Sequence, residues 1–319
     1  MGYAISKLLY FFSPSNCLDI EERTGFRLVR YNAGKDDILV LPSIINRSYI
    51  LDLNKDVSVI QQFCRRRFGV YKIEWEYFHN EDVSLSDYIN YIDTSMDKIP
   101  NRKVSIMGYC LGGILSLIYA FLHPEKVNKL ILLATPIDFS IWFDPRIFFC
   151  TIIDSDYINL YSGSIPGSLP NAYGVYLLSL YLPLFMMHGD FIEEFLEYEY
   201  QRDIFRRITW ITDAQSIPKS VYRTVIIDFY QKNNFIKGLV EINGEYIDLS
   251  KINIPLLNII ARYDHLIPYQ SSNFLEKVYS GKYKEIVFPS SHIGLSVSKK
   301  AHNKLWPRVC DWLADQKKE

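Results

Sequence analysis

The sequence predicts an α/β fold with a mostly parallel central sheet, helices on both faces, and one large insertion. Three observations lead to this expectation. Short β-branched, apolar runs alternate with stretches of helical periodicity, the rhythm of successive βα units. The runs are nearly continuous in apolar residues, as strands are when helices cover both faces of their sheet. The rhythm then lapses once, between about Phe139 and Ser250, and resumes afterwards.

Taken in order, the predicted strands are Asp37–Leu41, Val70–Trp75, Val104–Met107, Lys129–Ala134, Leu256–Ala261 and Glu285–Phe288. The third runs into a helix through Leu117, Ile118 and Phe121 that ends before Pro124, since proline cannot continue the hydrogen-bonding pattern. From Phe139 to Trp210, 17 of 72 residues are aromatic, against 15% for the chain, so this stretch is expected to pack as a layer of its own. Lys251-Ile252-Asn253-Ile254-Pro255 leads back into a strand. Residues 1–138 and 251–319 are therefore expected to form one core domain, and 139–250 a cap inserted into it.

Composition narrows the function classes. The 319 residues are 49% hydrophobic, enough to bury a full core, which excludes a disordered chain. Lysines and arginines (35) nearly balance aspartates and glutamates (36), so no global charge favours nucleic acid. The longest nearly apolar stretch, Val175 to Met187, is broken by Ser179 and Pro183 and falls short of the roughly 18 residues a membrane span needs. Cysteines 17, 64, 110, 150 and 310 are odd in number and lack CxxC spacing. They read as free thiols in a reducing compartment, with no disulfide framework and no zinc site. The amino terminus lacks the basic start of a signal peptide, and Met1-Gly2-Tyr3-Ala4-Ile5-Ser6 matches a myristoylation pattern too short to carry weight. A cytoplasmic protein is expected.

The strongest local signal is Val104-Ser105-Ile106-Met107-Gly108-Tyr109-Cys110-Leu111-Gly112-Gly113. A strand passes through Gly-x-Cys-x-Gly-Gly into a helix, the layout of a nucleophile elbow with Cys in place of Ser. A residue at so sharp a bend takes strained angles, and its neighbours two positions away must be small; Gly108 and Gly112 meet that need. At the start of a helix, dipole and free N–H groups favour a thiolate at Cys110. The order nucleophile, acid, histidine then continues down the chain. Asp264 follows the strand Leu256–Ala261 and His292 follows Glu285–Phe288, both past carboxyl ends of strands, where ligands gather in open α/β sheets. Cys110 would attack, His292 would handle its proton, and Asp264 would fix the imidazole tautomer. The oxyanion needs two N–H donors, expected from Leu111 and from Ile45 in the loop Pro42-Ser43-Ile44-Ile45-Asn46. His265 is a rival base, but its place beside Asp264 favours a structural or secondary role. Histidines 79, 123, 188 and 302 form no metal-ligand cluster, and Arg65-Arg66-Arg67 reads as a solvated helix face.

These residues resemble the poly(3-hydroxyalkanoate) synthases, members of the α/β-hydrolase superfamily, over nearly the whole chain. The resemblance is carried by Ile44–Leu53, Gly69–Trp75, the box Gly108–Gly113, Thr135-Pro136-Ile137-Asp138-Phe139 leading into the cap, and the stretches from Ile217-Pro218 to Asn233-Asn234 and from Asn243-Gly244 to Asp248-Leu249 leading out. It implies an α/β-hydrolase core with a cap, and a dimeric acyltransferase. That enzyme polymerises (R)-3-hydroxyacyl-CoA, such as 3-hydroxybutyryl-CoA, into a polyester held in cytoplasmic granules, and releases CoA. No cofactor is implied, because the CoA thioester is the substrate. The short amino terminus is similar to the class III type, which works with a second, non-catalytic subunit. Three positions depart from the family pattern: Ser291 where Gly usually precedes the catalytic His, Glu74 for the Asp before Trp75, and Tyr269 where some members have Trp. Two other readings stay open: a cysteine-type hydrolase of esters or thioesters, and an inactive relative that coats granules.

Overall fold

The computed structural model describes residues 15–76, 83–140, 155–160, 164–165, 210, 213–264 and 266–315. Eight strands form its main sheet: β1 (Leu18–Arg23), β2 (Phe26–Asn32), β3 (Asp37–Leu41), β4 (Gly69–Trp75), β5 (Val104–Tyr109), β6 (Val127–Leu133), β7 (Leu256–Ala261) and β8 (Tyr283–Phe288). Their order across the sheet is β1-β2-β4-β3-β5-β6-β7-β8. From β4 to β8 every pairing is parallel, while β1 with β2 and β2 with β4 are antiparallel.

All six predicted strands are present, with ends moved by up to two residues. Every residue of β3, β4, β5 and β7 is buried, which accounts for their mostly apolar runs; the buried charges within β4, Lys72 and Glu74, pair with each other. The β1–β2 hairpin is an addition that the sequence reading did not contain. Its outer strand, Leu-Asp-Ile-Glu-Glu-Arg, is largely exposed and charged, so it shows no apolar run. It is the charged edge that protects an open sheet from pairing with another chain.

Helices α1 (Val59–Arg65), α2 (Leu85–Met96), α3 (Leu111–Leu122) and α4 (Trp306–Ala314) cover the two faces. On one face α2 and α3 pack Ile89, Ile92, Leu115 and Ile118 onto Leu39, Ile73 and Ile106. On the other, α1 and α4 pack Phe63, Trp306 and Val309 onto Val40, Met107 and Ile259. Helix α2 starts with a reciprocal capping box, Ser84 with Asp87, and Ser58 caps α1 through Gln61 N–H. The arginine run is not a helix face. Only Arg65 is helical, Arg66 caps the end and bonds Asp311 at 2.7 Å, and Arg67 has a φ of 63°.

No described strand from 139–250 joins the main sheet. Ser164–Ile165 pairs with Ile217–Pro218, Glu241–Ile242 pairs with Glu245–Tyr246, and Lys219–Gln231 is helical with π geometry from Thr224. Most of the aromatic stretch read as a cap layer lies outside the described residues. No described helix is long and apolar enough to cross a membrane.

Trp306 ties this framework to the loop after β8. Its ring meets Phe63 edge-on at 5.8 Å, and its Nε1–H donates to Leu295 O at 2.9 Å, three residues beyond His292. Replacing it with alanine should cost about 3–5 kcal/mol through the cavity left behind. Urea unfolding of Trp306→Ala should show a lower midpoint at unchanged slope. A midpoint equal to that of the unsubstituted protein would contradict the packing described.

Candidate active site

Cys110 stands between β5 and α3 at φ 53° and ψ −121°, a conformation L-residues avoid. Holding a non-glycine residue there costs on the order of 1–3 kcal/mol. The bend is secured by Cys110 N–H to Leu133 O and Gly113 N–H to Cys110 O, both 2.9 Å. The glycines around it are needed for close approach. A Cβ on Gly108 would strike Ser116 Oγ and the backbone of Gly112 and Gly113. On Gly112 it would strike the carbonyls of Leu41 and Pro42, and on Gly113 the side chain of Thr135. Gly112 thus lets the loop after β3 lie against the first turn of α3.

The loops after β7 and β8 bring the other two groups to the same place. Asp264 Oδ1 accepts from the N–H groups of Leu266 (2.8 Å) and Ile267 (2.7 Å), and Oδ2 lies 2.8 Å from His292 Nδ1. Both side chains are almost wholly buried. Cys110 hydrogen-bonds the same imidazole. Sequence positions 110, 264 and 292 therefore form one hydrogen-bonded row. His265 lies outside the described residues.

Burial opposes charge on His292, but the Asp264 carboxylate and the hydrogen bonds from Asp264 and Cys110 outweigh it, and the imidazole is pushed up to about 10. His302 shows the opposite balance. Buried between Ser296 O (2.7 Å) and Gln62 Nε2 (3.2 Å) with no carboxylate beside it, it is pushed down to about 4, mainly by burial. It reads as structural, as expected. Tyr109 was not singled out in the sequence, yet its ring packs on His292 at 5.1 Å. Burial, and then the charges of Cys110 and Asp264, keep its phenol neutral. Its position in an apolar strand hides it among core residues.

Leu111 opens α3, so its N–H has no carbonyl partner within the helix. Ile45 N–H points to Ser43 Oγ at a long 3.3 Å. The loop that carries Ile45 is held from below: Trp75 Nε1–H donates to Pro42 O (3.0 Å), and Ser48 Oγ donates to Glu74 Oε2 (2.5 Å). Glu74, one of the departures from the family pattern, is also paired at 2.6 Å with buried Lys72. Ser291, another, has no positive φ, and its Oγ accepts from Gly294 N–H at 3.2 Å. Its Cβ is therefore no obstacle before His292. Tyr269, the third, lies beneath the Arg262 guanidinium at 5.4 Å. Among the described residues no cluster of His, Cys, Asp or Glu could hold a metal ion, and the described cysteines are free.

Comparison with known proteins agrees with the fold. A family model described as alpha/beta hydrolase fold matches residues 72–298. The poly(3-hydroxyalkanoate) polymerase subunit PhaC of Thiocystis violacea is 34% identical, over 88% of this chain and 81% of its own length. Its counterpart from Synechocystis sp. is 30% identical over 96% and 85%. Among solved structures, a putative lipase from Sulfolobus solfataricus superposes with a TM-score of 0.63 at 15% identity, covering 94% of this chain and 93% of that one. An alpha/beta hydrolase fold protein from Chitinophaga pinensis does so with 0.59 at 10%, covering 95% and 99%.

The charge balance at His292 is measurable. With its pKa raised from 6.5 to about 10, the imidazolium contributes stability that is full below about pH 6.5 and fades as pH rises through about 10. NMR of the His292 ring should still report the charged form at pH 8, and Asp264→Asn should lower its titration by a unit or more. A ring already neutral at pH 8 in the unsubstituted protein would refute this account.

Proposed function

The chain belongs to the α/β-hydrolase fold family and, within it, to the poly(3-hydroxyalkanoate) polymerase subunits, and from that premise we propose how it works. It is a polyhydroxyalkanoate synthase that joins (R)-3-hydroxyacyl groups from their CoA thioesters into a polyester. The observation that carries the reading is a cysteine at the strained elbow, hydrogen-bonded to a buried imidazole that is itself held by a carboxylate.

In the first step Cys110 Sγ bonds to the thioester carbonyl carbon. The carbonyl oxygen gains negative charge and is met by the N–H groups of Leu111 and Ile45, the latter exchanging its long bond to Ser43 for the oxyanion. The bond to the CoA sulfur breaks, and that sulfur takes the proton held on the charged His292 ring. In the second step the 3-hydroxyl of another hydroxyacyl unit attacks the Cys110 thioester. His292 takes the hydroxyl proton, and Cys110 leaves as the sulfur that attacked. Asp264 keeps Nδ1 protonated throughout, so the ring nitrogen facing the sulfur is the one that exchanges protons.

The first step trades one thioester for another and is close to thermoneutral. The acyl group therefore stays reactive enough for the second step to run downhill. In this reading residues 139–250 form a cap that keeps water from the thioester. The protein works as a homodimer at the polyester granule surface in the cytoplasm, with a second, non-catalytic synthase subunit as a partner.

The test is incubation with 3-hydroxybutyryl-CoA, following thiol release and turbidity together. The expected outcome is CoA release with a precipitating polymer, abolished in Cys110→Ala. Release accompanied only by soluble 3-hydroxybutyrate would make the protein a hydrolase, and release at the original rate from Cys110→Ala would remove Cys110 from the chemistry.

A further inference from the structure

The loop carrying Ile45 is gripped from a second side, by the chain returning from the insertion. Asn46 forms an antiparallel bridge with Ala214, and Gln215 N–H donates to Ile45 O at 2.8 Å. Trp210 Nε1–H donates to Arg47 O at 2.6 Å, while Asn46 Nδ2–H donates to Trp210 O at 3.2 Å. Side chains complete the grip. Arg47 donates from Nη1 to buried Gln215 Oε1 at 3.3 Å, and its Nε lies 3.7 Å from Asp213 Oδ1. The pair is largely shielded, with 18% and 22% of the side chains exposed.

Three consecutive residues, 45 to 47, thus bond to a segment more than 160 positions later in the chain. A backbone held on both sides has its peptide planes set, and an oxyanion donor is useful only when its N–H points within a few tenths of an ångström of the right place. The Ile45 N–H contact with Ser43 is long and sets that direction only weakly.

We infer that Arg47 and Asp213 are positioning residues, which clasp the loop of Ile45 to Trp210 and to Asp213–Gln215 and so aim the oxyanion donor. The inference rests on the proposed acyl-transfer role of Cys110 and Ile45. It makes the return segment part of the reaction machinery without touching the substrate.

The experiment compares two reactions of Cys110 in the full chain. Acyl transfer, from 3-hydroxybutyryl-CoA or p-nitrophenyl acetate, passes through an oxyanion. Alkylation by iodoacetamide occurs at a saturated carbon and does not. Arg47→Gln and Asp213→Asn should each lower the acylation rate about 10- to 100-fold, part of what a lost oxyanion donor costs. The alkylation rate should stay within about twofold, because the row Cys110–His292–Asp264 is untouched. Arg47→Lys, which keeps the charge, should recover part of the loss. The double variant should be no slower than the worse single one, as expected of residues acting through one contact.

Equal falls in acylation and alkylation would overturn the inference, since they would mean general damage to the site. Unchanged acylation in Arg47→Gln and Asp213→Asn would overturn it as well. If Arg47→Gln does not fold, Asp213→Asn decides alone. Failure of the polymerase reading is seen separately, as turnover of p-nitrophenyl acetate without any polymer from the CoA thioester. An unsubstituted chain acylated by neither substrate would refute both.

Discussion

The backbone of Cys110 governs the site. At φ 53° the chain reverses within one residue, so the sulfur stands at the tip of a bend with a strand on one side and a helix on the other. Such a conformation persists only where the surroundings overdetermine it. Here they do so through absent atoms. Gly108, Gly112 and Gly113 let the bend close against Ser116, against the carbonyls of Leu41 and Pro42, and against Thr135. Because Gly112 has no side chain, the loop after β3 reaches the start of α3, and two separate pieces of backbone can face one oxygen. In the proposed mechanism the strain and the oxyanion geometry therefore have the same cause.

Much of this was legible in the sequence, because it is written in residue types with few other uses. Paired glycines around a cysteine, between an apolar run and a helical pattern, have few structural explanations. An Asp and a His just past later strands fix the order of the remaining parts. Buried parallel strands were legible for the same reason: β3, β4, β5 and β7 are buried along their whole length and mostly apolar. The β1–β2 hairpin was not, since an exposed edge strand is stabilised by backbone pairing and carries charge on both faces. Arg47 and Asp213 were not legible either. Their relation lies in tertiary packing across 166 positions (213 − 47), and neither sits in a periodic pattern.

His292 and His302 show why residue type alone does not settle a role. Both are buried histidines, within ten positions of each other. One faces a carboxylate and is driven toward the charged form; the other faces a carbonyl and an amide and is driven away from it. The difference, from about 10 to about 4, comes chiefly from Asp264, with Cys110 adding to it, and it separates an imidazole held between a carboxylate and a sulfur from one that ties helices together. The carboxylate itself stays in place through two backbone N–H bonds from its own loop, so the polarity of the whole row is set by main-chain geometry after β7.

A row of cysteine, imidazole and carboxylate treats a water molecule and an alcohol alike. In the proposed mechanism either can give its proton to His292 and attack the Cys110 thioester. Whether such a site makes a polyester or a free acid is therefore decided by what surrounds it. The surrounding structure must keep water out during the interval when the thioester waits, yet admit a second hydroxyacyl group. In the proposed mechanism the clasp on the oxyanion loop does not make that choice, because attack by water and attack by an alcohol pass through the same oxyanion and gain equally from an aimed donor. The choice falls to whatever limits water at the thioester.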